Sequence, residues 1–328
     1  MDKVEKLYFN IWGGCNLSCR HCFNEGGMVN GKILERDEII ALMQAAQFDL
    51  GIAEVQLTGG EPTQRPDLFE IIDALLGMNL TVLLQTNGVF DEEIRSKIMR
   101  LKGKNFKLIV SLDGIETNDF FRGEGNTAKT LENIKLLSRY FPVRINILLS
   151  NLIKWSEIEG IADLAEEFQL LLAFNPVCPL GRGQSSMLMP PNQYFDWMHR
   201  LEDLRNRGIN MRKCFELKNG RLFEVEKCPV RKGKTLVVGA DGNVYPCGFM
   251  VHIKESRMGN VRDTPLTELM NRTPKPCRVL NERCMACEYL MSGLCNGGCP
   301  ARIYGLNGDF SSKELYCLAE YESKGMRE

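Results

Sequence analysis

Through the first half of the chain, apolar residues fall in short runs separated by longer amphipathic stretches. The runs Leu7–Trp12, Glu54–Thr58, Thr81–Thr86, Lys107–Leu112, Arg144–Leu149 and Leu170–Asn175 are rich in Val, Ile, Leu and Phe, as buried parallel strands are. The stretches between them, Arg36–Phe48, Asp67–Met78, Glu92–Leu101, Ala128–Tyr140 and Ser156–Phe168, read as helices. Strands recur roughly every 25–35 residues, the spacing of repeated β-α units. Six units are too few for a closed eight-stranded barrel. The pattern therefore predicts an α/β fold built on a partial (β/α)6 barrel. Ligands of such a sheet gather at the C-terminal ends of its strands.

Beyond residue 178 the texture changes. Gly181, Gly183, Pro190 and Pro191 punctuate a linker over 179–213, within which Gln193–Asn206 looks helical. From Cys214 onward strands and turns are short, and this marks a second, smaller domain. The expected division is 1–178, 179–213 and 214–328. Nine of the thirteen cysteines fall in the last segment. An odd number cannot pair completely. The start, MDKVEKLYFNIW, carries charges and has no signal-peptide hydrophobic region, and no run of about 18 apolar residues suggests a spanning helix. A cytoplasmic location follows as the expectation. In a reducing compartment clustered cysteines bind metal or do redox chemistry rather than form disulfides. A formal net charge of −1 gives no global attraction to nucleic acid or membrane, and neither is expected as a partner.

The first strand leads into Gly13-Gly14-Cys15-Asn16-Leu17-Ser18-Cys19-Arg20-His21-Cys22-Phe23-Asn24. Three thiols in C-x3-C-x2-C on one loop can converge on one cluster. A [4Fe–4S] cube needs four ligands, so three cysteines leave one iron open to a small molecule, and an open position distinguishes a reactive site from a closed structural one. The alternative is a zinc loop with His21 as fourth ligand, although His21 sits too close to both neighbouring cysteines to fold round the same ion easily. Later strand ends are also polar. Thr58-Gly59-Gly60-Glu61-Pro62 offers two glycines for close backbone approach and Glu61 as an acceptor. Gln85-Thr86-Asn87-Gly88 ends the third strand, and Val110-Ser111-Leu112-Asp113-Gly114 the fourth. Arg122-Gly123 follows, where a guanidinium suits a planar carboxylate.

These motifs, in this order at successive strand ends, resemble the radical S-adenosylmethionine (SAM) superfamily, whose cluster motif is C-x3-C-x2-C with an aromatic residue beside the last cysteine, here Phe23. The resemblance implies that the open iron binds the amino and carboxylate groups of SAM and that one electron cleaves it to a 5′-deoxyadenosyl radical. It implies SAM contacts from Gly59, Gly60, Glu61 and Pro62, from Thr86 and Asn87, from Ser111 and Asp113, and from Arg122.

The C-terminal segment reads as a hairpin with Asp241-Gly242 as its turn, flanked by Leu236–Val238 and Val244–Tyr245, which brings Cys228 and Cys247 near each other. Cys284-x2-Cys287-x7-Cys295-x3-Cys299 and Cys317 follow. This is similar to the SPASM extension of the same superfamily, with pattern C-x(9–15)-G-x4-C, C-x2-C-x5-C-x3-C and a last cysteine. Thirteen residues separate Cys228 from Gly242 and four separate Gly242 from Cys247, as the pattern asks; seven rather than five lie between Cys287 and Cys295. A double zinc finger is the alternative reading of these spacings. The resemblance implies two auxiliary clusters, and so three [4Fe–4S] clusters in all. The outer one would sit on Cys284, Cys287, Cys295 and Cys317. The inner one would sit on Cys228, Cys247 and Cys299, with Cys214 as preferred fourth ligand and an open iron as the alternative. Cys178 ends the sixth strand and should point toward the barrel mouth, where a plain loop thiol and a catalytic or ligand role both stand open. Cys277 reads as a packed or surface thiol, His21 and His199 as structural, and His252 as solvent-exposed.

An enzyme is therefore expected, with modification of a ribosomally made peptide as first hypothesis: a thioether, carbon–carbon or other crosslink, or residue oxidation. Oxidation of a tetrapyrrole or small molecule is second. A non-catalytic Fe–S redox or sensor protein is third, although it would not need the SAM motifs. Expected partners are a peptide or protein substrate and an electron donor such as flavodoxin or ferredoxin. Because six residues precede the cluster strand, leader recognition is expected to fall to a separate protein or to the barrel rim.

Overall fold

Six parallel strands pair in chain order: β1 (Lys6–Trp12), β2 (Glu54–Gly59), β3 (Thr81–Thr86), β4 (Phe106–Ser111), β5 (Val143–Leu149) and β6 (Leu171–Pro176). The computed structural model describes residues 6–25, 32–212, 215–218, 221–224, 228–232, 235–272 and 279–323. Helices α1 (Arg36–Leu50), α2 (Leu68–Gly77), α3 (Glu92–Met99), α5 (Asn126–Leu137) and α6 (Trp155–Phe168) return the chain between strands, and a short α4 (Thr117–Arg122) precedes α5. The sequence pattern found every one of these but α4, whose six residues are too few to carry a helical period. A doubly covered sheet explains the density of branched residues: Leu7, Phe9 and Ile11 of β1 and Val55 and Leu57 of β2 are fully buried. Local chemistry sets the ends. Asp91 caps α3 by accepting from the Ile94 N–H, and Gly51 closes α1 in the left-handed region.

Helix α7 (Pro191–Asn206) crosses to the C-terminal segment, where Tyr194 stacks on Tyr316 at 3.9 Å and Phe195 on Tyr321 at 4.2 Å. Strands β7 (Phe215–Lys218) and β8 (Arg221–Glu224) form an antiparallel pair of their own. The expected hairpin is present as β9 (Leu236–Val238) and β10 (Asn243–Tyr245). It does not stand apart from the barrel. β9 pairs in parallel with β1, matching Leu7 to Leu236 and Phe9 to Val238, and β11 (Gly259–Asn260) completes a nine-stranded sheet. The hairpin thus covers the β1 edge that an open barrel would leave unpaired. Among the described residues five short helices follow: α8 (Leu266–Met270), α9 (Glu282–Met285), α10 (Glu288–Met291), α11 (Pro300–Asn307) and α12 (Leu318–Ser323). Among the described residues no helix is long and apolar enough to cross a membrane.

Candidate active site

The parallel register sets the C-terminal ends of β1 to β6 along one rim, and each motif lies just past one of them. The cluster loop leaves β1 at Trp12, beside a register irregularity against β2. There the Gly60 N–H donates to the Trp12 carbonyl at 2.7 Å and the Glu61 N–H to the Gly14 carbonyl at 2.8 Å. The two glycines are required by this contact. A Cβ on Gly60 would stand 2.1 Å from the Gly14 oxygen, and one on Gly59, at φ +138°, 2.2 Å from the Trp12 oxygen. Their close approach is therefore to the cluster loop itself. Cys19 is buried and Cys15 and Cys22 are half-buried. Burial pushes the Cys15 thiol up to about 11. Burial also raises Cys19, against the pull of Arg122.

Glu61, expected as an acceptor, is fully buried, and the protein itself uses its carboxylate. The oxygens accept from Thr63 N–H (3.1 Å) and Oγ1 (2.7 Å), from Thr86 Oγ1 (2.8 Å) and from the Asn87 N–H (2.7 Å). Burial raises its carboxyl while these donors oppose the shift. The side chain clamps the end of β2 to the end of β3. Asn87 Nδ2 in turn donates to Asn16 Oδ1 at 2.8 Å, and Asn16 Nδ2 to the Val89 carbonyl at 2.8 Å, which ties the β3 turn to the cluster loop. The Ser111 side chain is half-buried at the end of β4 and makes no hydrogen bond among the described residues.

The buried Asp113 and His21 form one set with the partly buried Arg122. Asp113 is 1% exposed. Its Oδ2 lies 2.6 Å from Arg122 Nη2, 2.7 Å from Arg122 Nε and 2.6 Å from His21 Nε2, and its Oδ1 accepts from the Leu148 N–H at 2.9 Å. Burial acts against the charge, yet Arg122 and His21 hold the carboxyl well below the usual carboxylate range. His21 also stacks on Phe121 at 4.9 Å. It faces Asp113 rather than sharing an ion with the neighbouring thiols, which leaves the zinc reading of this loop without its fourth ligand. Arg122 engages Asp113 through Nε and Nη2, and its Nη1 lies 4.0 Å from Cys19 Sγ.

The loop after β6, read from sequence as linker, holds the cluster loop from the other side. Arg182 donates from Nε to the Cys19 carbonyl (2.8 Å) and from its N–H to the Cys22 carbonyl (3.0 Å). Gly181, at φ +57°, lies so close that a Cβ would stand 2.6 Å from the Phe23 oxygen. Phe23 meets Phe249 edge-on at 4.6 Å, and the exposed His252 contacts Asn24 Oδ1 at 3.2 Å. The signal for Arg182 was present, a Gly-Arg-Gly triplet after a strand, but nothing in its spacing named a partner some 160 residues away.

Cys284, Cys287, Cys295 and Cys317 form one set, and Cys228 and Cys299 belong to a second, around a cavity of about 310 Å³ between α7, β6 and the last helices. In the first set, burial and then Cys317, Cys295 and Cys287 raise Cys284. The two additional residues between Cys287 and Cys295 are absorbed by α10 and its turn, where the Cys295 N–H donates to the Tyr289 carbonyl at 2.9 Å. In the second set, burial and then Cys299 push Cys228 up to about 12. A small apolar cluster around Cys178, Met250, Ala301 and Phe310 has Cys228, Cys247 and Cys299 packed against it. Asn296-Gly297-Gly298 joins the two sets, and Arg231 braces it from Nη2 to the Gly297 carbonyl (3.0 Å) and from Nε to the Gly298 carbonyl (3.2 Å). Glu314 accepts from the Cys299 N–H and from Arg302 Nε, both at 2.7 Å. Cys214 and Cys277 lie outside the described residues. Among the described residues no three His, Cys, Asp or Glu side chains close round a single ion, whereas a cubane spreads its thiolates over separate corners.

Comparisons with known proteins agree with this architecture. Residues 9–165 match the family profile described as the radical SAM superfamily, and residues 228–289 match the SPASM iron–sulfur cluster-binding domain. The AdoMet-dependent heme synthase of Methanosarcina barkeri is 30% identical, over 95% of this chain and 95% of its own. The mycofactocin maturase MftC of Mycobacterium tuberculosis is 27% identical over 92% of this chain and 79% of its own. SuiB of Streptococcus suis, solved with S-adenosylmethionine, shares the fold at a TM-score of 0.77 and 16% identity, over 96% of this chain and 77% of its own; it has also been solved with its precursor peptide SuiA.

Proposed function

The chain belongs to the radical SAM superfamily and carries a SPASM domain, and from that premise we propose that it oxidatively modifies a ribosomally made peptide by abstracting one hydrogen atom. The observation that carries the reading is the placement of three thiols on one loop, the Glu61 clamp and the Asp113–Arg122–His21 set at adjoining strand ends. Three [4Fe–4S] clusters fit the residues: one on Cys15, Cys19 and Cys22, an inner auxiliary one that includes Cys228, Cys247 and Cys299, and an outer one on Cys284, Cys287, Cys295 and Cys317. Bound at the first site, cluster and SAM supply one-electron cleavage to the 5′-deoxyadenosyl radical.

The chain's own residues arrange the rest. Gly59 and Gly60 let the strand end meet the cluster loop, and Glu61 fixes Thr86 and Asn87 beside it. Ser111 offers its hydroxyl to the ribose side. Arg122, held by Asp113, sets a positive charge next to Cys19, where the carboxylate of SAM is expected. Cys228, Cys247 and Cys299 would hold an auxiliary cluster, and such a cluster would accept the one further electron that a substrate radical must lose to give an oxidised product. An electron donor such as flavodoxin or ferredoxin supplies the first electron, and leader recognition falls to a separate protein or to the rim.

Likeness to the mycofactocin maturase supports a peptide substrate. Likeness to two heme synthases, at 30% and 27% identity, favours a second reading, oxidation of a tetrapyrrole. The test is anaerobic turnover with SAM and dithionite. A precursor peptide encoded by a short neighbouring open reading frame is compared with an iron porphyrin bearing propionates. A mass change on the peptide with matching 5′-deoxyadenosine supports the first reading; change on the porphyrin alone replaces it with the second.

A further inference from the structure

We propose that Cys178, on the barrel's own β6 loop, is the fourth thiolate of the inner auxiliary cluster, in place of Cys214. The proposal rests on the iron–sulfur reading of the C-terminal thiols and adds to it a ligand from the other part of the chain.

Three observations place it there. Cys178 is 5% exposed and packs with Val230, Met250, Ala301 and Phe310 rather than with the large barrel core, and the residues lying against that cluster include Cys228, Cys247 and Cys299. It lines the same cavity as Cys228 and Cys299. Its backbone is fixed against both neighbours. A Cβ on Gly183 would stand 2.5 Å from the Cys178 carbonyl oxygen, and one on Gly305 of α11 would stand 2.6 Å from that of Pro179. A buried cysteine is often no more than a small apolar side chain. Here, though, the three thiols beside it come from the segment whose spacing already marks them as ligands, and that set is one short of the four a cubane takes.

Two consequences follow. Four thiolates close the inner cluster, so it exchanges electrons with a substrate radical but does not ligate substrate. Ligation also mounts the inner cluster on the strand end whose next residues hold the first one: Arg182, four residues on, bonds the Cys19 and Cys22 carbonyls. The distance between the two clusters is then set by one short loop instead of by the packing of two segments. On binding iron the thiol gives up its proton to solvent, as any cysteine ligand does.

The test uses the full chain with Cys15, Cys19 and Cys22 changed to Ala, so that only auxiliary iron remains, reconstituted anaerobically and read by iron analysis, Mössbauer spectroscopy and EPR. In that background Cys178→Ala should release one iron of the inner cluster on mild oxidation and show a three-iron EPR signal. Cys178→Ser should keep all its iron with a shifted reduction potential, and Cys214→Ala should match the parent. The serine variant also covers the case in which alanine prevents folding. If both Cys178 variants match the parent while Cys214→Ala gives the three-iron signal, Cys214 is the ligand and the proposal is overturned. If the background itself binds no iron, the iron–sulfur reading beneath the proposal fails instead.

Discussion

Arg122→Ala removes the counter-charge of a carboxylate that has no water to turn to. Asp113 would lose contacts at 2.6 and 2.7 Å and keep His21 at 2.6 Å. Taking one partner from a buried pair costs about 3–5 kcal/mol. With His21 still in place the low end applies, about 3 kcal/mol. At about 1.5 °C per kcal/mol for a chain of this length, the metal-free chain should melt roughly 4–5 °C lower. The sign of the pH dependence follows from the depressed Asp113 carboxyl. Its stabilisation is complete above the unfolded value of about 4 and drains away as pH falls through the lower folded value. The gap between parent and variant should therefore be full at pH 7 and narrow under acid conditions. A separate effect concerns SAM. Loss of one charge-assisted hydrogen bond, about 1.5–3 kcal/mol, weakens binding roughly ten- to a hundredfold. Calorimetric melting of the metal-free chain and equilibrium binding of SAM to the reconstituted chain separate the two. A melting point within about 1 °C of the parent refutes the buried pair. Lower stability with unchanged SAM affinity refutes the placement of Arg122 on the SAM side.

Glu61→Ala strands two hydroxyls and two backbone N–H groups that donate to it. SAM affinity should fall roughly tenfold or more with every cluster still assembled, and unchanged affinity would show that the clamp does not position the SAM site. Gly60→Ala puts a methyl group 2.1 Å from the Gly14 oxygen; the variant should lose the first cluster's iron while keeping auxiliary iron, and full retention would mean that this contact is not needed. Cys247→Ala and Cys295→Ala, once shown by circular dichroism to remain folded, should still make 5′-deoxyadenosine under dithionite while modified product falls. Full product from both would reduce the auxiliary clusters to structural staples.

Much of this was legible in the sequence because it is local. Short runs dense in branched residues and bounded by turn signals read as strands, and the strand-end motifs lie in the few residues that follow them, so β1 to β6 and the positions of Cys15, Glu61, Asn87 and Asp113 all came from short-range patterns. Missing from the pattern were pairings across the fold. β9 lies on β1 although more than 220 residues separate Leu7 from Leu236. Arg182 looked like linker because its partners, the Cys19 and Cys22 carbonyls, are backbone atoms that no motif names. Glu61 and Arg122 were recognisable as polar residues at the rim, but that one clamps β2 to β3 and the other serves Asp113 depends on burial, which a motif does not record. Cys178 shows the same limit: its place beside Cys228, Cys247 and Cys299 follows from the docking of the C-terminal segment on the end of β6.

Iron content together with SAM cleavage decides whether three clusters form and whether Cys15, Cys19 and Cys22 hold the one that cleaves SAM. Anaerobic reconstitution of the full chain should give about twelve iron and twelve sulfide per chain if three [4Fe–4S] clusters form. Replacing Cys15, Cys19 and Cys22 together by Ala should remove about a third of that iron and abolish the release of 5′-deoxyadenosine from SAM under dithionite. Tightly bound zinc with no iron, or undiminished 5′-deoxyadenosine from the triple variant, would rule out an iron–sulfur cluster on those three cysteines as the site of SAM cleavage.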